Sequence, residues 1–151
     1  MENTDGRTPI AEGCAYYHTP DGIAIVDIDS VRRGVVDSLY AWIHDRINRW
    51  DANTPYLALY DMRHESVNLT PYMRAKASES HDLRQEVKGA IAVVLVQDPF
   101  TLIMSLFARL RRNKSRKVQI FFSMEEGLAW LREVRDTFTA EDAVTPGNRA
   151  V

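Results

Sequence analysis

Apolar and polar positions change their period several times along the chain, and each change marks an element. The longest nearly uninterrupted apolar run, Gly89-Ala-Ile-Ala-Val-Val-Leu-Val-Gln-Asp98, is too short for a buried helix and does not alternate. A strand covered on both faces reads this way, so this run is expected at the centre of a sheet, stopping at Pro99. Upstream, Cys14–His18 and Ile23–Ile28 flank Thr19-Pro-Asp-Gly22. Pro presets φ and Gly accepts positive φ, which predicts a hairpin turn. Asp29-Ser30 is a predicted N-cap for a helix over 31–50, where Val31, Val35, Leu39, Trp42, Ile43, Ile47 and Trp50 recur at helical spacing.

Tyr56–Tyr60 is the next strand, ending at Asp61. Thr70-Pro71 opens a weakly amphipathic, exposed helix to about Val87. A helix over 99–112 follows the central strand, then a strand over Val118–Phe122. Ser123-Met-Glu-Glu126 is a capping box for a last helix with Met124, Leu128, Leu131 and Val134 on one side. Strands alternating with helices predict an α/β fold. The expected architecture is a mixed, mostly parallel sheet of about five strands, with an N-terminal antiparallel hairpin strand and four helices. Residues 1–12 read as a flexible leader, 13–136 as a single domain and 137–151 as a flexible C-terminal tail.

Composition narrows the function classes. A chain of 151 residues, 45% hydrophobic, fits one core. A net charge of −2 gives no general reason to expect nucleic acid. The lone Cys14 forms no intrachain disulfide, and no apolar run approaches the roughly 18 residues of a membrane span. With no signal-peptide pattern at the start, a cytoplasmic location is expected.

Candidate chemistry collects where parallel strands end, the edge at which α/β sheets usually bind ligands. Asp29, Asp61, Arg63, His64 and Asp98 form the candidate ligand-binding rim there. Asp27-Ile-Asp29 is similar to the start of the haloacid dehalogenase phosphotransfer motif, but no paired acidic motif follows a later strand. His18, His44, His64 and His81 lack ligand spacing, so no metal site is assigned, and no cofactor or catalytic residue is expected. The apolar residues of Phe100–Leu110 cover an arc of roughly 200°, about twice what one core needs. Leu102 and Leu106, beside Arg109, are the candidate subunit interface of a homodimer. The basic run Arg111-Arg-Asn-Lys-Ser-Arg-Lys117 reads as a solvated loop or as a contact for anionic lipid.

The segments Gly89–Val96 and Val118-Gln-Ile-Phe-Phe-Ser-Met-Glu-Glu-Gly-Leu-Ala-Trp-Leu131 together resemble the ending of SpoIIAA-like proteins, relatives of the STAS (anti-sigma-factor antagonist) domains. The element order over 14–135 agrees, with Gly127 standing where the family carries alanine. The resemblance implies a non-enzymatic module for protein contacts or small apolar ligands. The phosphorylated serine turn of STAS antagonists is absent, since the position reads Asp61-Met-Arg-His-Glu-Ser66, and Ser66 is the nearest phospho-acceptor. Three functions are therefore expected in order. The first is a regulatory or protein-interaction module, homodimeric, with an unknown protein partner. The second is a domain binding a small apolar ligand or a lipid surface, suggested by Trp42, Trp50, Tyr56, Tyr60 and Tyr72. The third is a metal-dependent enzyme using the aspartate rim.

Overall fold

In a computed structural model, residues 6–64, 70–96 and 115–144 are described, with side chains as far as Phe138. They form β1 (Thr8–Ala11), β2 (Cys14–His18), β3 (Ala24–Ile28), α1 (Arg33–Asn48), β4 (Tyr56–Asp61), α2 (Pro71–His81), β5 (Gly89–Val94), β6 (Arg116–Phe121) and α3 (Met124–Val144). One six-stranded sheet runs in sequence order. Its first three strands are antiparallel, and β3 to β6 are parallel. The α/β class and the mixed sheet agree with the sequence reading.

The details differ. Thr8–Ala11, in the stretch expected to be a loose leader, supplies a sixth strand. The apolar run forms β5, but β5 lies next to the edge and β4 is nearer the middle. Three helices are present among the described residues. The fourth expected helix, over 99–112, lies outside them, as do Ser66, Asp98, Leu102, Leu106 and Arg109. Helix α3 continues to Val144, past the point where fraying is expected.

Side-chain alternation in the strands divides the core into two layers. Val26, Ile28, Tyr56, Ala58 and Ile91 face α1 and α2, meeting Val36, Leu39, Ile43, Ile47 and Met73. Ile25, Leu57, Leu59, Ala90, Ala92 and Val94 face α3, meeting Leu131. This double covering explains why β5 is apolar throughout. Gly127 lets α3 approach closely: a Cβ there would stand 3.0 Å from Leu59 Cδ1.

Local signals account for most element ends. Gly22 has φ +89°, and its N–H donates to the Thr19 carbonyl at 2.9 Å, closing the β2–β3 turn. Thr70 accepts from the Met73 N–H at 3.1 Å, as an N-cap should. Ser123 accepts from the Glu126 N–H at 3.2 Å, half of the expected capping box. Asp29-Ser30 does not cap α1. The N-cap is Arg32, with no side-chain cap bond, and Ser30 instead accepts from the Arg32 N–H at 3.3 Å.

Two arginines organise the opposite, amino edge of the sheet. Arg116 is fully buried, and its Nη1 and Nη2 donate to five carbonyls: Ser80, His81, Leu83, Arg84 and Val87, at 2.7–3.3 Å. These include the last carbonyls of α2, which lack intrahelical donors and carry the negative end of its dipole. Arg84 repeats the device for α1, with Nη1 donating to Ile47, Asn48 and Trp50 carbonyls at 2.8–3.1 Å. Its own backbone sits at φ +38°, a strained position held by those bonds. Arg116 is thus withdrawn from the basic run into the interior.

Several shifted groups make stability depend on pH, His81 and Asp21 among them. Burial and then the Arg116 charge push His81 below its ordinary value of 6.5. The neutral ring is the folded form, so its contribution is complete above about pH 6.5 and erodes as pH falls below it. Asp21 ties the β2–β3 turn to α3 through Arg132 at 2.9 Å and Arg135 at 3.0 Å. The Arg132 bond, then Thr19, hold its carboxyl well below the carboxylate range. That contribution persists above the ordinary aspartate value and is lost as pH falls below about 4. Asp27 is raised and acts in the reverse sense over that range. We expect two successive drops in melting temperature on acidification, the lower diminished by Asp21→Asn and the upper by His81→Gln. Melting curves from pH 8 to 3 check this, and coincident wild-type and variant profiles would contradict it.

Candidate functional site

The carboxyl edge of the sheet gathers charge because β3 and β4 end side by side. Parallel pairing sets Asp27 directly opposite Asp61. Both are half-buried, and by alternation both lie on the α3 face. Two carboxylates so placed repel one another unless cations intervene. Arg7, just before β1, reaches Asp27 at 2.7 Å. Arg63 forks onto Asp61, with Nε at 2.9 Å and Nη2 at 3.0 Å, and its own N–H adds a third bond at 3.2 Å. A bidentate pair of this kind is stronger and more directional than a single ion contact.

The two carboxyls respond differently. Burial raises Asp27, with Arg7 opposing and Asp61 and Asp29 adding to the rise. Burial raises Asp61 as well, but the three Arg63 bonds outweigh it and the net shift is downward. The Arg7 guanidinium also lies 5.3 Å over the Tyr17 ring. Tyr17 in turn is raised by burial and by Asp27. The edge is therefore a pair of adjacent carboxylates, Asp27 and Asp61, flanked by Arg7 and Arg63, with the Arg7 guanidinium over Tyr17.

Asp61 and Arg63, expected at the rim, are brought together here. Asp29 is two residues beyond the Asp27–Asp61 pair, exposed, and its N–H donates to the Gly13 carbonyl at 2.8 Å. His64 is exposed just after Arg63. Asp27, Arg7 and Tyr17 were not among the expected site residues. The Asp27–Asp61 pairing follows from the strand register, which sequence spacing leaves open. Among the described residues, no three His, Cys, Asp or Glu side chains converge to hold a metal ion. Cys14 is buried, and burial followed by Asp29 and Asp27 pushes its thiol up to about 12, so it stays protonated.

The two edges of the sheet are finished differently. β1 is four residues long, contains Pro9 and has an irregular register with β2. β6 is six residues long, has no proline, and among the described residues pairs with β5 alone. Val118 of β6 is 42% exposed. It shares the α1/α2 side with its β5 neighbour Ile91.

The chain matches no protein-family model, no curated protein and no solved structure. No helix among the described residues is long and apolar enough to cross a membrane.

Proposed function

We propose that the chain is a non-catalytic, STAS-like interaction module that associates with a second copy of itself on the β6 side of its sheet. The observation that carries this is the contrast between the two sheet edges. A short strand with proline and a broken register is a poor template for pairing, and β1 has all three features. β6 has none of them and exposes a large apolar side chain, Val118. In the sequence, Leu102, Leu106 and Arg109 fall between β5 and β6.

The charged carboxyl edge supports a binding role over a catalytic one. Asp27 and Asp61 are each engaged by an arginine, so neither carboxylate is poised to move a proton or to receive a hard cation without losing its partner. The element order of the SpoIIAA-like resemblance supports the regulatory assignment, with the hairpin, α1, β4, α2, β5, β6 and α3 in sequence. Sedimentation equilibrium of the full chain tests the reading. A dimer mass at micromolar concentration is expected, and a monomer at every accessible concentration would contradict it.

A further inference from the structure

The charged carboxyl edge and the short strand β1 meet at one residue, Arg7. It lies just before β1, and continuing the Thr8–Tyr16 pairing sets it opposite Tyr17. Its guanidinium bridges to Asp27 at 2.7 Å and lies 5.3 Å over the Tyr17 ring, which packs on the α3 side of the sheet. Three positions on, Ile10 is half-buried and packs against the α1 side of the core. An odd separation along a strand puts two side chains on opposite faces. Arg7 and Ile10 thus grip the edge of the sheet from both sides, with Thr8 and Pro9 exposed between them.

The backbone of β1 is weakly held. The strand has four residues, Pro9 offers no N–H to the ladder, and the register with β2 shifts between Pro9 and Ala11. Such a strand opens at a free energy well below that of the whole domain. The strand behind it is a better template: β2 has five residues, no proline, and pairs with β3 in unbroken register from Cys14 to His18. With β1 lifted, β2 presents a free row of backbone groups. Asp27 then stands beside the like charge of Asp61 without the Arg7 guanidinium. The uncovered edge therefore selects a cation at the Arg7 position, and the Tyr17 ring favours a guanidinium there.

We propose that β1 is a self-ligand, an autoinhibitory strand seated on a peptide-binding edge. The partner is an extended segment of another protein that carries an arginine and, three residues later, a branched apolar residue. It adds to β2 in place of β1, with its arginine on Asp27 and Tyr17 and its apolar side chain on the α1 side. The two-residue turn Glu12-Gly13 tethers β1 to β2, which gives the strand an effective concentration of roughly millimolar. A weak partner is therefore excluded and a tight one displaces the strand. β2 lies at the other end of the sheet from β6, so this site stands or falls independently of the dimer.

Fluorescence anisotropy of a labelled peptide of residues 6–12, added to the full chain, tests it. In a variant combining Arg7→Ala with Ile10→Ala the tethered strand is weakened, and saturable binding of the peptide is expected. Wild type should bind the same peptide about tenfold or more weakly, because its own β1 competes. A peptide with glutamate in place of its arginine, or Asp27→Asn added to the variant, should also cost about tenfold or more. No binding to a variant that melts cooperatively, or equal binding of the two peptides, overturns the proposal. Hydrogen exchange of the unaltered chain gives an independent reading. Amides bonded between β1 and β2 should exchange about tenfold or more faster than those between β3 and β4, and equal protection overturns the proposal as well. A dimer that persists in Val118→Glu and dissolves on adding Arg7→Ala would also overturn it, by assigning the edge to β1 of a second copy.

Discussion

Arg116→Met is expected to cost at least about 3 kcal/mol, because several buried carbonyls lose hydrogen bonds to a charged donor worth about 1.5–3 kcal/mol each. The five carbonyls that Arg116 serves cluster at the end of α2 and in the loop that follows it. Methionine fills most of the space but donates nothing, so all five oxygens lose the guanidinium together, and only the Ser80 and Arg84 carbonyls keep a backbone donor, from Leu83 and Val87. The Arg84 carbonyl is one of them, and the Arg84 side chain caps α1, so the damage should spread to both helix ends. Arg116→Lys should recover less than half the loss. An ammonium is a single point with three donors, whereas the guanidinium fork spreads its donors over two separate nitrogens here. Urea unfolding checks both variants, and a loss below about 1 kcal/mol for Arg116→Met would mean that water replaces the fork.

Gly89→Ala is expected to be comparably severe, for a steric reason. Gly89 opens β5 beside Tyr56 of β4, and a Cβ there would stand 1.9 Å from the Tyr56 carbonyl oxygen. The obstacle is backbone, which cannot rotate away as a side-chain tip can. The starts of β4 and β5 must separate, which disturbs the bond from the Tyr56 N–H to the Lys88 carbonyl at 2.8 Å. Overpacking without an escape route costs about 1–3 kcal/mol and occasionally more, and this contact belongs at the upper end. The melting temperature should fall by roughly 6–12 °C, at about 2–4 °C per kcal/mol in a chain of this size. A variant that melts within two or three degrees of wild type, about 1 kcal/mol, would show that the strands part freely.

Local chemistry made much of this fold legible in the sequence. Thr19-Pro-Asp-Gly22 announces its turn, Thr70 and Ser123 announce their helices, and the unbroken apolar run of β5 announces cover on both faces. What escaped depends on partners distant in sequence. β1 carries proline and has no alternation, so only its pairing with β2 makes it a strand. Arg116 stands in a run of cations that reads as solvated, and nothing local reveals carbonyls 29 or more positions upstream. Asp27 looks like half of an Asp-x-Asp motif, whereas its consequential neighbour is Asp61 across the strand register. Tyr56 and Tyr60 read as core aromatics, and their place in the layer beneath α1 shows only once that helix is laid over the sheet.

The central claim is that the β6 side of the sheet holds a second copy of the chain, and Val118→Glu addresses it most directly. The side chain is 42% exposed, so the substitution should leave melting within a few degrees of wild type. Sedimentation equilibrium of wild type and variant side by side should then show a wild-type dimer whose dissociation constant rises about tenfold or more in the variant. Equal association of the two proteins, or a monomeric wild type, would contradict the account.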